Sequence, residues 1–442
     1  MNKLSEYNII IEGDTKFIYL NTITGSIVGL NQKEHSIVQK EFNNLIDFEE
    51  KYPTIFKKFY NFGYIIDEKR NEKEEILFYK KQSVFLDREY RLFLHPTLDC
   101  NFNCWYCYEE HPKEKITEET SQRIKKHIEY MSDRISGLHL SWFGGEPLMY
   151  YDEIVEPMSL FAKNIMEQKG LTFINSISTN AYYINKKMIE GFKKIKLSTF
   201  QITLDGNREK HNKVRNFNGE PSFDVICNNI IDICNEINDA SITLRINYDN
   251  KTLDYEPDFI SIFPENIRHK LRIDFQRVWQ TRDENCLKTE PINNKLLQWM
   301  EFAAKLGFNV NFTKLQPHIP YACYVDKYYH LEIDHEGKVY KCTAKGYTPE
   351  YEVGKLREDG IVELNAENEA KRFHKLTVEN EMCLNCKYLP MCGGSCTQNS
   401  MEVNGEPICV IQSSEIPITT AILKNYEYRN NIKNIYEKNN SF

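Results

Sequence analysis

Between residues 90 and 315 short apolar runs alternate with longer amphipathic ones. RLFLHPT (91–97), LHLSWFG (138–144), FINSIST (173–179), TFQITLD (199–205), ITLRINY (242–248) and RIDFQRVW (272–279) have the length and the β-branched and aromatic content of strands. Between them, segments such as TEETSQRIKKHIEYM, NKKMIEGFKKI and SFDVICNNIIDICNEI repeat apolar residues at helical spacing. Six strand–helix units in succession predict an α/β fold with a parallel sheet, curved into a partial (β/α)6 barrel of the TIM kind. In such sheets ligands gather at the carboxyl ends of the strands.

The flanks read differently. Residues 1–75 open with two β-like runs, YNIIIE and KFIYLNTITGSIVGLN, the second carrying a hairpin signal at Thr24-Gly25. Helical patterns around 32–46 and 48–62 follow, then GYIID as a closing strand. That order predicts a small winged-helix-like domain. DEKRNEKEE (67–75) reads as a solvated linker or the start of an exposed helix. Residues 318–412 carry seven of the 13 cysteines, with glycines and short strands, and predict a separate cysteine-rich domain. Residues 413–442 read as a closing helix with a charged tail.

Composition narrows the class. A chain of 442 residues with 41% hydrophobic and 27% charged residues can bury several cores without disulfides, so its cysteines call for another explanation. A net charge of −8 disfavours a general nucleic-acid binder. No apolar run approaches the roughly 20 residues of a membrane span. Glu12 and Asp14 break any signal-peptide core at the N-terminus. The expectation is a cytoplasmic protein in a reducing compartment.

Cys100, Cys104 and Cys107 form C-x3-C-x2-C in DCNFNCWYCYEE, directly after the first barrel strand. A structural zinc ion normally takes four ligands. A [4Fe–4S] cluster on three thiolates keeps one iron open. The segment resembles the radical S-adenosylmethionine (radical SAM) family, whose motif is C-x3-C-x-φ-C with an aromatic at φ, here Tyr106. The resemblance implies that the open iron chelates the amino and carboxylate groups of SAM. Reductive cleavage of the sulfonium C–S bond would then give methionine and a 5′-deoxyadenosyl radical that takes a hydrogen atom from substrate.

Other segments match the family more loosely. Gly144-Gly145-Glu146-Pro147, after the second strand, matches its motif for the SAM amino group, with Glu146 as polar contact. Ser178-Thr179-Asn180 ends the third strand and resembles the segment near the SAM carboxylate and ribose. Leu204-Asp205-Gly206 ends the fourth and is followed by HNKVR, whose Arg215 would be a carboxylate partner. Asn247 ends the fifth. A turn residue, helix cap or surface ion pair remains the alternative at each position.

A second constellation lies at Cys323, Gly337-x4-Cys342, Cys383-x2-Cys386-x5-Cys392-x3-Cys396 and Cys409. Zinc is the generic alternative. The spacing resembles the SPASM domain, which binds two auxiliary [4Fe–4S] clusters. The resemblance assigns Cys323, Cys342 and Cys396 to an inner cluster and Cys383, Cys386, Cys392 and Cys409 to an outer one, three clusters in all. The extra ligand expected about six residues before Cys323 falls at Pro317, with His318 the nearest alternative. Cys227 and Cys234, seven apart among isoleucines, read as buried small hydrophobes. Cys286 has no evident partner.

Radical SAM proteins with SPASM domains mostly modify peptides or proteins. Sulfatase-maturating members carry an Asp directly after the G-x4-C cysteine; here that position is Thr343, a poor base. Residues 7–66 resemble the small domain that binds a leader peptide as an added strand, with a plain N-terminal cap as the alternative. The expectation is a maturase that crosslinks a ribosomally made precursor peptide by a thioether, C–C or C–O bond. Its partners would be that peptide with its leader and an electron donor such as flavodoxin or ferredoxin. The rivals are a formylglycine maturase and a non-enzymatic metal-binding scaffold. No catalytic base is evident; Asp334, Glu336 and Lys341 lie near the inner cysteines in sequence.

Overall fold

The structure is a computed structural model that describes residues 1–249, 251–278, 291–313, 315, 323–373, 376–402, 408–412 and 414–439. Cys286, Pro317 and His318 lie outside the described residues. Two compact units form: Met1–Asp87, Phe312–Tyr328 and Ala370–Phe442 in one, Arg88–Asn311 and Tyr329–Glu369 in the other.

The first unit begins with β1 (Asn2–Leu4), then β2 (Asn8–Glu12), β3 (Phe17–Asn21) and β4 (Ile27–Leu30), which pair antiparallel in the order β2-β3-β4. Helices α1 (Gln32–Glu41), α2 (Leu45–Lys51) and α3 (Pro53–Asn61) follow, and β5 (Ile65–Asp67) closes the segment against β1. Asn31 and Glu34 make a reciprocal capping box at the start of α1, and Pro53 opens α3 where its missing N–H costs nothing. Tyr19, Phe48, Phe56, Phe59 and Tyr64 form the local core, with Tyr19 edge-on to Phe59. The charged stretch after β5 starts helix α4 (Glu72–Phe85), capped by Asn71.

The second unit carries the barrel. Its elements are β6 (Glu89–Leu94), α5 (Glu118–Ser132), β7 (Gly137–Trp142), α6 (Glu156–Gln168), β8 (Thr172–Thr179), α7 (Lys186–Lys194), β9 (Leu197–Thr203) and α8 (Arg208–Val214). A short hairpin, β10 (Asn216–Phe217) and β11 (Glu220–Pro221), leads to α9 (Phe223–Glu236), β12 (Ser241–Tyr248), β13 (Leu271–Arg277), α10 (Pro291–Lys305) and β14 (Asn309–Val310). After them come β15 (His330–Ile333), β16 (Lys338–Tyr340), β17 (Gly354–Leu356) and β18 (Val362–Leu364). The sheet order is β14-β13-β12-β9-β8-β7-β6-β15-β16-β17-β18. The six predicted strands pair in parallel at its centre, and β16–β18 add antiparallel. Strand side chains alternate: on β12, Ile242, Leu244, Ile246 and Tyr248 are buried, while Thr243, Arg245 and Asn247 are partly open. One face of the sheet therefore packs on helices and the other is polar.

Residues 329–369 belong to the barrel unit, which cuts across the boundaries drawn from sequence. The cause is main-chain pairing. Arg91 N donates to Tyr329 O at 3.0 Å and His95 N to Ile333 O at 3.0 Å, making β15 the parallel neighbour of β6. Helix α11 (Ala366–Phe373) carries the chain back to the first unit, where α12 (Glu381–Leu384), α13 (Leu389–Cys392), α14 (Thr397–Glu402) and α15 (Ile418–Asn439) lie. Ile9, Ile11, Ile18 and Leu20 share a core with Met391 and Ile422; Tyr7, Ile76 and Val84 share another with Leu376, Val378 and Leu389. The N-terminal segment and the C-terminal cysteine segment thus fold around common cores. Among the described residues no helix is long and apolar enough to cross a membrane.

Candidate active site

The carboxyl end of β6 leads into the first cysteine loop. Thr97 Oγ1 donates to Glu114 O at 2.5 Å and accepts from Asp99 N at 2.9 Å; Asp99 Oδ1 accepts from Cys100 N at 2.9 Å. Cys107 N donates to Cys104 O at 2.9 Å, and buried Leu98 and Phe102 anchor the loop. The turn after β7 is laced to it: Gly145 N donates to Thr97 O at 3.3 Å and Glu146 N to Asp99 O at 2.9 Å. This approach demands glycine. Gly144 has φ of 98°, and a Cβ on Gly144 or Gly145 would be driven into the carbonyl oxygens of Thr97 or Asp99.

Glu146 does not line the cavity beside this turn. Its buried carboxylate accepts from Leu148 N at 2.9 Å, Thr179 Oγ1 at 2.7 Å and Asn180 N at 2.7 Å. It therefore fastens the β7 turn to the end of β8, rather than presenting its oxygens as the direct ligand contact expected from sequence. Asn180 in turn donates from Nδ2 to Asn101 Oδ1 at 2.6 Å.

Tyr106 is the hub of a second network. Its hydroxyl donates to Asp205 Oδ2 and accepts from Arg215 Nη1 at 3.0 Å and Asn247 Nδ2 at 3.1 Å. Arg215 Nη1 also lies 3.5 Å from Cys104 Sγ, and its guanidinium covers the Phe102 ring at 5.6 Å. The ends of β9, α8 and β12 thus meet the cysteine loop. The resulting cavity, with about 160 Å³ of room, is lined by Cys100, Tyr106, Cys107, Gly144, Gly145, Ser178, Asn180 and Arg215 among the expected residues.

Burial pushes the Cys100 thiol up to about 12, with Glu146 adding to it, and pushes Cys104 up as well; Arg215 opposes both. Iron binding here must displace protons, and the guanidinium lowers that cost. Arg215 Nε, Asn101 Nδ2 and Asp205 Oδ1 are buried without a hydrogen-bond partner. Buried polar atoms are normally satisfied, so two spare donors and one spare acceptor around three thiols fit a polar ligand carrying both amino and carboxylate groups. Among the described residues no three His, Cys, Asp or Glu side chains converge on a point suited to a single metal ion.

The C-terminal thiols fall into two settings. In the first unit, burial pushes Cys392 up to about 11, with Cys383, Cys386 and Cys409 adding, and raises Cys383 with Cys386 and Cys409 adding. The four cysteines expected to act together are within electrostatic reach of one another. Asn380 Oδ1 caps the turn at Cys383 N at 2.9 Å. Lost hydration pushes Cys323 up to about 11, with Asp326 and Cys396 adding. Cys342 follows β16 in the barrel unit. Buried Cys227 and Cys234 sit on the apolar face of α9, as their spacing suggests.

Lys80 carries no motif in the sequence. Its Nζ is buried, 3.2 Å from Asp326 Oδ2 and 2.9 Å from Gly393 O, and Thr397 Oγ1 donates to the same carboxylate. Its only signal is spacing: it falls four residues after Ile76 and four before Val84, on the apolar face of α4. Asp334 accepts from Glu336 N and Lys338 N in a turn, Glu336 pairs with Lys338, and Lys341 is buried 3.9 Å from Glu369. None of these three residues lines the cavity.

Residues 94–254 match the radical SAM superfamily, and residues 323–387 match the SPASM iron–sulfur cluster-binding domain. The radical SAM cyclopropyl synthase TigE of Paramaledivibacter caminithermalis is 24% identical over 446 residues, covering 89% of each chain. An uncharacterized protein of Synechocystis is 22% identical over 354 residues, 71% of this chain and 85% of that one. Among solved structures, native anSMEcpe with bound AdoMet and Cp18Cys peptide matches with a TM-score of 0.57 at 17% identity, covering 79% of this chain and 99% of that one; the likeness is one of fold.

Proposed function

We propose that this radical SAM enzyme, with its C-terminal SPASM domain, is a peptide maturase that takes a hydrogen atom from a ribosomally made precursor peptide and closes a thioether, C–C or C–O crosslink. The observation that carries the reading is the meeting of Cys100 and Cys107 with the Gly144-Gly145 turn, the end of β8 and Arg215 around one cavity, with Cys104 against the same Arg215. The three thiolates would hold a [4Fe–4S] cluster, and SAM would lie against Gly144, Gly145, Ser178, Asn180 and Arg215. When bound, cluster and SAM supply the 5′-deoxyadenosyl radical.

The remaining work belongs to the chain. Glu146 holds the two SAM-facing turns together, and Tyr106 and Asp205 fix the fork of Arg215. Phe143 and Val278 give the cavity apolar wall that excludes water from a radical. Cys323, Cys342 and Cys396 would serve the inner auxiliary cluster, and Cys383, Cys386, Cys392 and Cys409 the outer one; these clusters would take the substrate radical's remaining electron as the crosslink closes and a proton leaves. A flavodoxin or ferredoxin would deliver the electron.

A peptide substrate is in keeping with anSMEcpe, which is solved with a bound peptide. The β2-β3-β4 sheet offers a place for a leader strand. The Thr343 carbonyl accepts from Tyr108, and its hydroxyl is a poor base, which weighs against formylglycine formation.

The test is anaerobic reconstitution with SAM and dithionite, alone and with synthetic peptides translated from the short reading frames that neighbour its gene. The reading expects 5′-deoxyadenosine, about 12 iron atoms per chain, and a peptide lighter by two hydrogens. If Cys100→Ala/Cys104→Ala/Cys107→Ala still forms 5′-deoxyadenosine, the reading is wrong.

A further inference from the structure

The polar face of the barrel holds a cation that the site described so far does not use. On β12 and β13 the polar positions are Thr243, Arg245 and Asn247 beside Arg272, Asp274 and Gln276, in parallel register. Most find partners within the sheet. Arg272 Nη2 donates to Thr243 Oγ1 at 2.8 Å, and Gln276 Nε2 donates to both oxygens of Asp274 at 3.0 and 2.8 Å. Arg245 stands level with Asp274, yet the two do not pair. Arg245 Nε donates to Asn247 Oδ1 at 2.9 Å, and among the described residues no carboxylate reaches its guanidinium.

Arg245 lines the cavity and is half-buried. The other charges that line it are Arg215, which faces Asp205 across Tyr106, Arg277, and Glu109, whose carboxylate burial pushes up to about 7 against the pull of His111 and Tyr108. A half-buried guanidinium with no carboxylate within ion-pair distance is costly, and a carboxylate is the anion its planar fork fits. SAM's own carboxylate is taken, on the reading above, at β8 and Arg215. Arg245 lies two strands from β8, about 10 Å across the sheet. A second carboxylate, carried by the other reactant, would meet it.

We propose that Arg245 is a specificity residue that binds the side-chain carboxylate of an Asp or Glu in the substrate peptide, close to the residue that is modified. The substrate class is therefore an acidic peptide segment. This inference rests on the peptide-maturase reading.

The test is selection of a random ten-residue peptide library, displayed on its own messenger RNA, on anaerobic holoenzyme holding S-adenosylhomocysteine. Wild type, Arg245→Gln and Arg245→Lys are compared after matching their cluster absorbance and melting temperature. Wild type should enrich Asp or Glu at one position about tenfold over input, as one charge-assisted contact allows. Arg245→Gln should return that position to input composition, and Arg245→Lys should keep part of the bias. Peptides selected without acidic bias, or a bias that survives in Arg245→Gln, overturn the inference and leave the maturase reading standing. Failure of wild type to select any peptide overturns both. A fall in SAM affinity in Arg245→Gln with an unchanged bias assigns the guanidinium to the nucleotide and also overturns the inference.

Discussion

The cysteine loop after β6 and the cysteines between 383 and 409 use the same side chain in opposite surroundings. Cys100, Cys104 and Cys107 share theirs with a guanidinium, a tyrosine hub, a buried aspartate and a glycine turn, and two of them face a cavity. Burial pushes Cys383 and Cys392 up, and Cys386 and Cys409 add to both. Three thiols with spare donors beside them suit a cluster that must also take a ligand. Four thiols that answer each other suit a cluster complete in itself. The number of sulfurs matters less than what else has been brought within reach.

The contrast can be broken most sharply by removing one set at a time. Replacing Cys100, Cys104 and Cys107 by Ala should lower dithionite-driven SAM cleavage by at least about 100-fold. Replacing Cys383 and Cys386 should leave that cleavage within about fivefold of wild type while abolishing peptide product. Product and 5′-deoxyadenosine measured in one chromatogram decide it; equal loss in both variants would erase the distinction.

A smaller effect is expected where loop and turn touch. Gly145→Ala drives a Cβ into Asp99 O and should cost about 2–4 kcal/mol in denaturant melts, with poorer iron loading. Tyr106→Phe leaves buried Asp205 without its donor and should cost about 1–3 kcal/mol. It should also weaken SAM binding, because Arg215 loses its anchor.

The mildest prediction concerns acid. Burial pushes His127 down to about 4, and the geometry agrees: its Nδ1 donates to Gly360 O at 2.8 Å and its Nε2 accepts from Tyr90 at 2.7 Å, which needs the neutral ring. The unfolded chain then binds more protons than the folded one between pH 6.5 and 4. Stability is full above about pH 6.5 and falls as pH drops towards 4. His127→Gln should flatten part of that slope in thermal melts; an unchanged slope would refute it.

The six barrel strands were evident in the sequence because each combines apolar content with clear punctuation by helices. The two cysteine sets were evident from spacing alone. Less could be read where partners lie far apart. The pairing of β15 with β6 joins residues about 240 positions apart, and nothing local in HLEI announces a parallel neighbour. Glu146 had the right place, but its role depends on Thr179 and Asn180 from the next strand. Lys80 is one of two adjacent lysines in a mixed segment, and only its register with Ile76 and Val84 set it apart. Arg245 had no motif at all; it stands out only because Asp274 beside it is held by Gln276.

The central claim is that the β6 loop holds a cluster whose open iron takes SAM directly. Electron–nuclear double resonance of the reduced enzyme, with SAM labelled by ¹⁵N at the amino group and ¹⁷O at the carboxylate, tests it most directly. The account predicts hyperfine coupling of both labels to a cluster, lost on replacing Cys100, Cys104 and Cys107. A reduced cluster that shows no coupling to either label in the presence of saturating SAM would contradict it.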